Sequence, residues 1–424
     1  MKHNCLVPSR YIVATALAST FSALVLLGLP ALADPFSFST GEPDGLMGTA
    51  SRPGPGAGSG ANQDTESADD FVLSNRTTIT TASFTGLVPA GVDISNDIAQ
   101  VRIEIYRMWP NDILTNRTIN VPTRINSPSD FEFDERDSAS TSLTFTVTLL
   151  NPSFTVSNSV DTGIHPSPDQ KTLGEGPVVG QEVRFDVTFT TPLDLPADHY
   201  FFVPQVLLSD PDNHFLWLSA SKPIVLRGAP VSLDLQEWIR NADLDPDWLR
   251  VASDIIGNPP AFNAAFSLAG EIPPHDLAVL SIKPPKAVKL KDVGPPLTKR
   301  VKVEIQNLSP HSETISNLTV LGELVSVTLS NIQGSGCLAP TAELIQGPPN
   351  NVPKTLGPNE KLNVFFNVTF DPEGCIPDKF KGEGHQDFSY TAHVDHAALD
   401  GNPDTNPSND TLDATAVTDV FLKR

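Results

Sequence analysis

The residues best suited to bind an ion lie between positions 400 and 410. Carboxylate and amide side chains alternate there with Gly, Pro, Thr and Ser: Asp400, Asn402, Asp404, Asn406 and Asp410. Calcium prefers several oxygen ligands, and the first three of these residues fit positions 1, 3 and 5 of an EF-hand-type loop. Thr405 replaces the glycine of such a loop, and Asx residues with prolines are also ordinary turn formers. The pattern therefore predicts either a calcium loop or a plain surface turn, with calcium as the one candidate cofactor.

A second group of candidate ligands contains His385, His393, Asp395 and His396. Imidazole and carboxylate groups are zinc ligands. Side chains alternate across a strand, so His393 and Asp395 would share one face while His396 points away. That geometry is poor for one ion, and it favours solvent-exposed or turn histidines.

Four tryptophans offer flat rings to a ligand: Trp109, Trp217, Trp238 and Trp248. Aromatic rings in a partly polar concave site can stack on sugar faces, which would make this region a carbohydrate-binding module. The alternative is that Trp217 packs inside a sheet while Trp238 and Trp248 hold a helical segment against it. The pattern favours this packing role.

Signatures of nucleophilic or nucleotide chemistry are not found. The sequence lacks a G-x-S-x-G elbow, an H-E-x-x-H helix, a P-loop and a G-x-G-x-x-G that opens a helix. A glycosidase carboxylate pair is defined by its separation in space, and 50 acidic residues offer too many choices. We therefore predict no enzymatic activity, with a hydrolase that uses a dispersed carboxylate site as the weakest alternative.

The first 33 residues have the order of a secretory signal peptide. Lys2 and Arg10 flank a polar start, residues 11–29 are largely apolar, and Ala31-Leu32-Ala33 ends the segment with small residues. An uncleaved membrane anchor is the alternative, but Pro30 and the small residues after it favour cleavage. We expect a secreted protein (periplasmic, cell-surface or extracellular) with no membrane span in the mature chain.

Cys337 and Cys375 are the cysteines that follow this segment. A cysteine pair in an exported protein is most simply one disulfide. The surroundings of Cys337 match neither local signature of the cysteine proteases.

The chain carries 50 Asp and Glu against 28 Lys and Arg, a formal net charge of −22. A polyphosphate would be repelled over most of such a surface, so nucleic acid is disfavoured as a partner. The expected partner is a protein or a glycan.

The elements that must position these groups are β-strands. Residues 101–107 alternate cleanly, which places Val101, Ile103 and Ile105 on one face and charged side chains on the other. Further strands are predicted at residues 77–84, 143–149, 183–189, 200–208 and 215–218, with a turn at 210–213. Residues 34–67 are rich in Gly, Ser and Pro and are expected to be a flexible segment.

A short helical insertion is predicted before the first strand series closes. Asp234 could cap a helix that carries Leu235, Trp238 and Ile239, and Asp245-Pro246-Asp247 has the order of a second helix start. These elements predict a jelly-roll-like β-sandwich over residues 68–271. After a hinge at 272–275, strands at 277–282, 300–305, 324–329, 362–370, 388–394 and 412–422 predict an immunoglobulin-like sandwich over residues 272–424.

Two stretches resemble known modules of exported bacterial proteins. Asp276-Leu277-Ala278-Val279, with Pro284-Pro285 and residues 301–307 (VKVEIQN), resembles CARDB-type domains, which are immunoglobulin-like and adhesion-related. Residues 68–73 (ADDFVL), with the Thr-rich strand that follows, resemble the opening of β-sandwich domains of the sorting-tag class, without the tag itself. The resemblance implies an adhesion-related, non-catalytic role.

The expected protein is therefore all-β, with two antiparallel sandwiches that act through surface contacts in an adhesion or envelope-associated role. Carbohydrate binding through the aromatic residues of the first sandwich is the alternative function.

Overall fold

The computed structural model describes residues 33–114, 121–164, 171–221, 234–257, 261–291, 294–333, 339–372, 379–380, 383–399, 404 and 406–423. The predicted signal segment up to residue 32, Asp400, Asn402, Cys337 and Cys375 lie outside the described residues. The signal peptide and the disulfide therefore stay predictions. Within the described part of the chain, no helix combines the length and the hydropathy that crossing a membrane would require.

Residues 34–272 form the first sandwich. Its strands are β1 (Asp34–Ser39), β2 (Pro43–Ala50), β3 (Thr65–Leu73), β4 (Thr77–Pro89), β5 (Ile98–Met108), β6 (Pro128–Asp137), β7 (Leu143–Val156), β8 (Asn158–Val160), β9 (Val178–Leu195), β10 (Asp198–Leu208), β11 (Leu216–Ala220), β12 (Trp238–Asn241), β13 (Leu249–Arg250) and β14 (Phe266–Ile272). A π-helical turn, Val251–Ile256, follows β13. One sheet has the order β1-β14-β4-β11-β2-β8, with β9 pairing β4 and β7, and the other has the order β13-β12-β3-β10-β5-β6.

Side chains from both sheets fill the core of the first sandwich. Phe71, Ile103 and Phe202 come from one sheet and meet Phe185 and Phe266 from the other. The rings of Phe202 and Phe266 stack with centroids 5.0 Å apart. Burial of such aromatic surface is the main stabilising contribution to a sandwich of this type.

The backbones of β4 and β11 approach closely at Gly86. A Cβ atom added there would lie 1.9 Å from Cε2 of the buried ring of Phe215. Glycine is therefore required at this position, because any side chain would displace an aromatic ring of the core.

Residues 277–423 form the second sandwich. Its strands are β15 (Leu277–Lys283), β16 (Ala287–Lys291), β17 (Leu297–Asn307), β18 (Glu313–Ile315), β19 (Val325–Gln333), β20 (Ala342–Leu344), β21 (Lys354–Leu356), β22 (Lys361–Phe370), β23 (Lys379–Phe380), β24 (Glu383–Val394), β25 (Thr411–Asp413) and β26 (Thr418–Lys423). One sheet has the order β15-β17-β22-β20, and the other has the order β16-β26-β24-β19 with β23 and β25 on β24. Val303, Val364, Val325 and Tyr390 are among the residues from both sheets that share its core.

A short helix that the sequence analysis did not predict, α1 (Leu318–Leu324), precedes β19. The side chain of Asn317 accepts hydrogen bonds from the backbone N–H groups of Thr319 and Val320 at 2.9 and 3.0 Å. Asparagine in this role satisfies N–H groups that have no partner inside the helix.

The all-β, mainly antiparallel fold predicted from the sequence is confirmed. Val101, Ile103 and Ile105 are fully buried in the core, as the alternation of β5 predicted. The turn at 210–213 also forms, with the backbone N–H of Asn213 donating to the carbonyl of Asp210 at 3.1 Å. Two of the pairings between the described strands are parallel, β2 with β8 and β16 with β26.

The prediction that residues 34–67 form a flexible segment was wrong. β1 pairs with β14 from Asp34 opposite Ile272 to Ser39 opposite Ser267, and β2 pairs with β11. Only residues 54–61 form a continuous exposed loop within the segment. The partners of these strands lie some two hundred residues away, so local composition carries no sign of them.

The predicted helix at Asp234 was also wrong. Trp238 to Asn241 form strand β12, whose residues pair with β3 from Trp238 opposite Ala68 to Asn241 opposite Thr65. Residues 245–248 lead into the two-residue strand β13 instead of a second helix. Pairing with the exposed edge of β3 satisfies the backbone of this segment, and it outweighs the local cap-like pattern.

Candidate functional site

The sheet β13-β12-β3-β10-β5-β6 of the first sandwich carries an open cleft of about 610 Å³ on its outer face. Its floor is the polar side of β5, where Arg102, Glu104 and Tyr106 alternate with the buried core residues of the same strand. Glu66 of β3 and Arg240 of β12 complete the floor. Because side chains two apart on a strand share a face, the spacing within β5 alone aligns three functional groups.

Arg240 holds one half of the floor together. Its guanidinium group donates to the carboxylate of Glu66 and to the hydroxyl of Tyr106, the latter at 2.8 Å. It also pairs with Asp245 at 2.8 Å. The guanidinium carbon lies 4.4 Å from the ring centroid of the buried Trp248, so the cation is held by both charge and π contact.

Arg102 holds the other half. Its side chain pairs with Glu104 and with Asp64, both at 3.1 Å, and it donates to Gln205 at 2.7 Å. The Tyr106 hydroxyl lies 3.2 Å from a carboxylate oxygen of Glu104 and 3.4 Å from one of Glu66. The two halves thus meet at the Tyr106 hydroxyl, which joins a continuous polar network.

Burial strongly perturbs the acids of this network. Burial and the adjacent Glu66 carboxylate hold the pKa of Glu104 well above its usual range, although Arg102 opposes the shift. The same causes hold the pKa of Tyr106 well above that of an ordinary tyrosine. Burial opposes the charge of Arg240, but the Glu66 carboxylate and Tyr106 raise the pKa of Arg240 above its normal value. The guanidinium therefore stays charged inside the cleft wall.

The rim of the cleft adds further carboxylates and one aromatic ring. Glu132 and Asp245 line it beside Phe131, whereas Asp130 is buried and pairs with Arg124. Phe131 is 49 % exposed, which is unusual for a phenylalanine beside charged groups. With Asp130 paired to Arg124 and the pKa of Glu104 raised, four other carboxylates of the lining still face two guanidinium groups, which leaves an excess of negative charge. Such a cleft attracts cations and repels anions.

The tryptophans proposed for sugar stacking do not line this cleft. Trp217, Trp238 and Trp248 are at most 2 % exposed. Trp217 lies in the sandwich core and donates to the carbonyl of Ala265 at 3.0 Å. Stacking on sugars by these three rings, the less favoured interpretation, was therefore wrong, because buried faces cannot meet a sugar, whereas the favoured packing of Trp217 inside the sandwich is confirmed. Trp109, at the end of β5, is half-buried, and its role stays a prediction.

The described part of the predicted calcium loop lies beside a histidine. Asp410 and Asp404 place carboxylate oxygens 3.2 and 3.8 Å from Nε2 of His396. Asn406 accepts a hydrogen bond from the hydroxyl of Ser408 at 2.6 Å. His393 is exposed, as the strand alternation predicted, but His396 is only 5 % exposed. With Asp400 and Asn402 outside the described residues, calcium binding stays a prediction.

The sequence analysis missed Glu66, Glu104 and Arg240 as site residues. The signal for Glu104 was present, because it lies on the polar face of the alternating strand β5. No local sequence pattern indicated the role of Arg240, because its partner Glu66 lies 174 residues away along the chain.

No family model matches the chain, and no curated protein matches it. Among solved structures, AggA, the major subunit of aggregative adherence fimbriae type I from Escherichia coli, has 10 % identity and a TM-score of 0.18, over 35 % of this chain and 97 % of that one. The CupB6 tip adhesin from Pseudomonas aeruginosa has 9 % identity and a TM-score of 0.17, over 92 % of this chain and 99 % of that one. At these TM-scores function has to be argued from the site itself.

Proposed function

We propose that the protein is an exported, non-catalytic binding protein with an adhesion-type role, and that the acidic cleft of the first sandwich engages its partner. The partner feature that fits the cleft is a cluster of ammonium or guanidinium groups, such as a lysine- or arginine-rich segment of another protein. The observation that carries the proposal is the excess of carboxylates around the exposed ring of Phe131.

Charge and shape support a cationic partner. Glu132 and Asp245 are exposed at the rim, where they can pair with incoming cations. The exposed ring of Phe131, which lines the same cleft, can receive a cation on its face. An acidic surface also increases the rate at which a basic partner arrives, and this effect falls as salt rises.

The contacts of the inner carboxylates favour binding over catalysis. Glu104 is 2 % exposed and pairs with Arg102, while Glu66 is 8 % exposed and pairs with Arg240. A general acid or nucleophile must reach the substrate, whereas these groups are already engaged with the protein. Their network instead keeps the cleft floor rigid.

A second candidate function is carbohydrate binding, which the exposure of Phe131 favours. A phenyl ring flanked by hydrogen-bonding side chains can stack on one sugar face while those side chains bond its hydroxyl groups. This candidate replaces the tryptophans of the sequence analysis with Phe131.

The test measures binding of a fluorescently labelled oligolysine to the full chain by anisotropy, at low and at high salt. Glu132→Gln removes one rim charge and is expected to weaken binding about 1.4-fold to fivefold at low salt, since exposed ion pairs contribute about 0.2–1 kcal/mol. The matched control is Glu271→Gln, which removes an exposed carboxylate of the same sandwich away from the cleft. Oligolysine affinity should be unchanged in this control.

Equal losses in the two variants would show that oligolysine binds to the acidic surface as a whole, and the cleft proposal would fail. A glycan array with the wild-type chain and with Phe131→Ala addresses the second candidate. Sugar binding that Phe131→Ala abolishes would establish that candidate in place of the first. Turnover of a glycoside that Glu104→Gln abolishes would instead show a hydrolase.

A further inference from the structure

One end of the second sandwich gathers three histidines and several carboxyl groups from distant parts of the chain. His275 precedes β15, His311 and Glu313 flank the start of β18, and His396 begins a turn after β24. The ring centroids of His275 and His396 are 6.3 Å apart, and those of His275 and His311 are 5.5 Å apart. The cluster therefore forms one neighbourhood with two halves.

The half around His396 has open ligand positions. His396, Asp404 and Asp410 place one ligand atom each within 4.8 Å of one another. His396 is 5 % exposed, Asp410 is 7 % exposed, and the side chain of Asp404 is 9 % exposed. Nδ1 of His396 and Oδ2 of Asp404 are buried without a hydrogen-bond partner. Buried polar atoms are nearly always satisfied, so the orphaned Oδ2 of Asp404 indicates a missing partner, whereas Nδ1 of His396 points away from the carboxylates that Nε2 faces.

The backbone holds this half in place. The backbone N–H of Val394 donates to the carbonyl of Asp410 at 2.9 Å. The backbones of Asp404 and His275 form an isolated parallel β-bridge. The side-chain amide of Asn409 donates to the carboxylate of Asp276 at 2.8 Å. Oδ1 of Asn409 is a further buried oxygen without a partner. The ligand atoms are thus presented by segments that the second sandwich itself fixes.

We propose that His396, Asp404 and Asp410 bind one divalent metal ion of the zinc class, which joins the loop before β25 to the turn after β24. A tetrahedral ion with bonds of about 2.0 Å keeps its ligands roughly 3.3 Å apart. The separations of 3.2 and 3.8 Å between His396 Nε2 and the two carboxylate oxygens fit this requirement. The fourth position is left to water.

The other half of the cluster has a different role. The Glu313 carboxylate lies 2.6 Å from Nδ1 of His275 and 2.9 Å from Nε2 of His311. The shorter of these distances is a direct hydrogen bond and leaves too little room for an ion between the groups. Glu313 therefore acts as an anchor for the two imidazoles beside the proposed metal site.

An imidazole in the ligand set favours zinc over calcium. Calcium prefers a shell of six to eight oxygen atoms, whereas nitrogen together with carboxylate is a usual zinc set. The site uses Asp404 and Asp410 of the calcium loop predicted from the sequence. It adds His396, which strand alternation had predicted to point away from His393 and Asp395.

The test titrates Zn²⁺ into the EDTA-treated full chain by calorimetry and follows the melting temperature. We expect one Zn²⁺ per chain and a rise of about 5 °C at a hundredfold excess over Kd. Asp404→Asn and His396→Gln should weaken Zn²⁺ binding at least about tenfold. The matched control is His393→Gln, an exposed histidine near the end of β24 and three residues before His396, which should bind Zn²⁺ as the wild type does.

Absence of stoichiometric Zn²⁺ binding overturns the proposal, and so does tighter binding of Ca²⁺ than of Zn²⁺. Binding that survives His396→Gln but is lost in His311→Gln places the ion at Glu313 and also overturns it. Should a variant fail to fold, anomalous scattering at the zinc edge from the wild-type crystal locates the ion directly. An ion found away from His396 contradicts the assignment.

Discussion

The cleft of the first sandwich and the histidine cluster of the second bury their carboxylates by different means. In the first, Glu66 and Glu104 pair with the guanidinium groups of Arg240 and Arg102. In the second, Glu313 and Asp410 pair with imidazoles of histidines. A guanidinium group keeps its charge at every physiological pH, whereas an imidazole can lose its charge or bind a metal. The first arrangement is permanent, and the second can respond to its surroundings.

A third means is protonation, and the first sandwich also uses it. Glu237 is 1 % exposed and accepts a hydrogen bond from the Thr49 hydroxyl. Burial raises the pKa of Glu237 to about 8, against the opposing effect of that hydrogen bond. Its carboxyl group is therefore neutral in the folded protein at neutral pH.

The largest expected effect is the loss of the permanent charge at Arg240. Arg240→Met keeps much of the packing but leaves Glu66 buried without its partner, so the free energy of unfolding should fall by about 3–5 kcal/mol. Urea unfolding followed by tryptophan fluorescence measures this, because all four tryptophans lie in the first sandwich. The control is Arg184→Met, which breaks the exposed pair Arg184–Asp186. Its free energy of unfolding should fall by less than about 1 kcal/mol. Equal losses would contradict the distinction between buried and surface pairs.

The next effect concerns protonation of Glu237. Because the folded pKa lies above the unfolded value, its contribution is fully present below pH 4.5 and disappears as pH rises to about 8. Stability of the first sandwich should therefore fall by about 3 kcal/mol between pH 5 and pH 7.5. Glu237→Gln should reduce this slope by that amount and leave the share of Glu104, whose pKa is also raised, whereas the exposed Glu271→Gln should leave the slope unchanged. An unchanged slope in Glu237→Gln would assign the effect to another group.

The smallest effect concerns Glu313 and has the opposite sign. Although burial opposes it, hydrogen bonds from His275 and His311 lower the pKa of Glu313 to about 2. Its contribution is present above pH 4.5 and is lost as pH falls toward 2. The second sandwich should lose about 2 kcal/mol between pH 5 and pH 2.5. Calorimetry of Glu313→Gln against the exposed Glu343→Gln tests this, and identical acid profiles would refute it.

Strand positions were the most predictable part of the fold. Alternation along residues 101–107 predicted both the buried and the polar face of β5, because period-two burial is a local property. The predicted strand at 412–422 proved to be two strands, β25 and β26, with residues 414–417 between them. Strand pairing could not be predicted in the same way, and the errors at 34–67 and at Trp238 come from that limit.

The ADDFVL segment shows why a motif can be visible while its role is not. Asp69 and Asp70 are buried, and they accept hydrogen bonds from the backbone N–H groups of Ala264 and Leu235, both at 2.8 Å. These carboxylates fix two later segments against β3. Their partners lie 195 and 165 residues away, which no local pattern encodes.

For clearly alternating strands such as β5, the amino-acid sequence by itself determined which residues lie on the strand and which side of it is apolar, since both depend on neighbours only a few positions apart. Tertiary structure alone decided that Arg240 neutralises Glu66 and that His396 joins Asp404 and Asp410. Those contacts depend on strand order and register, which are set by the burial of the whole sandwich. A binding cleft or a metal site therefore depends on strand order and register, because its groups come together only after the sheets have packed.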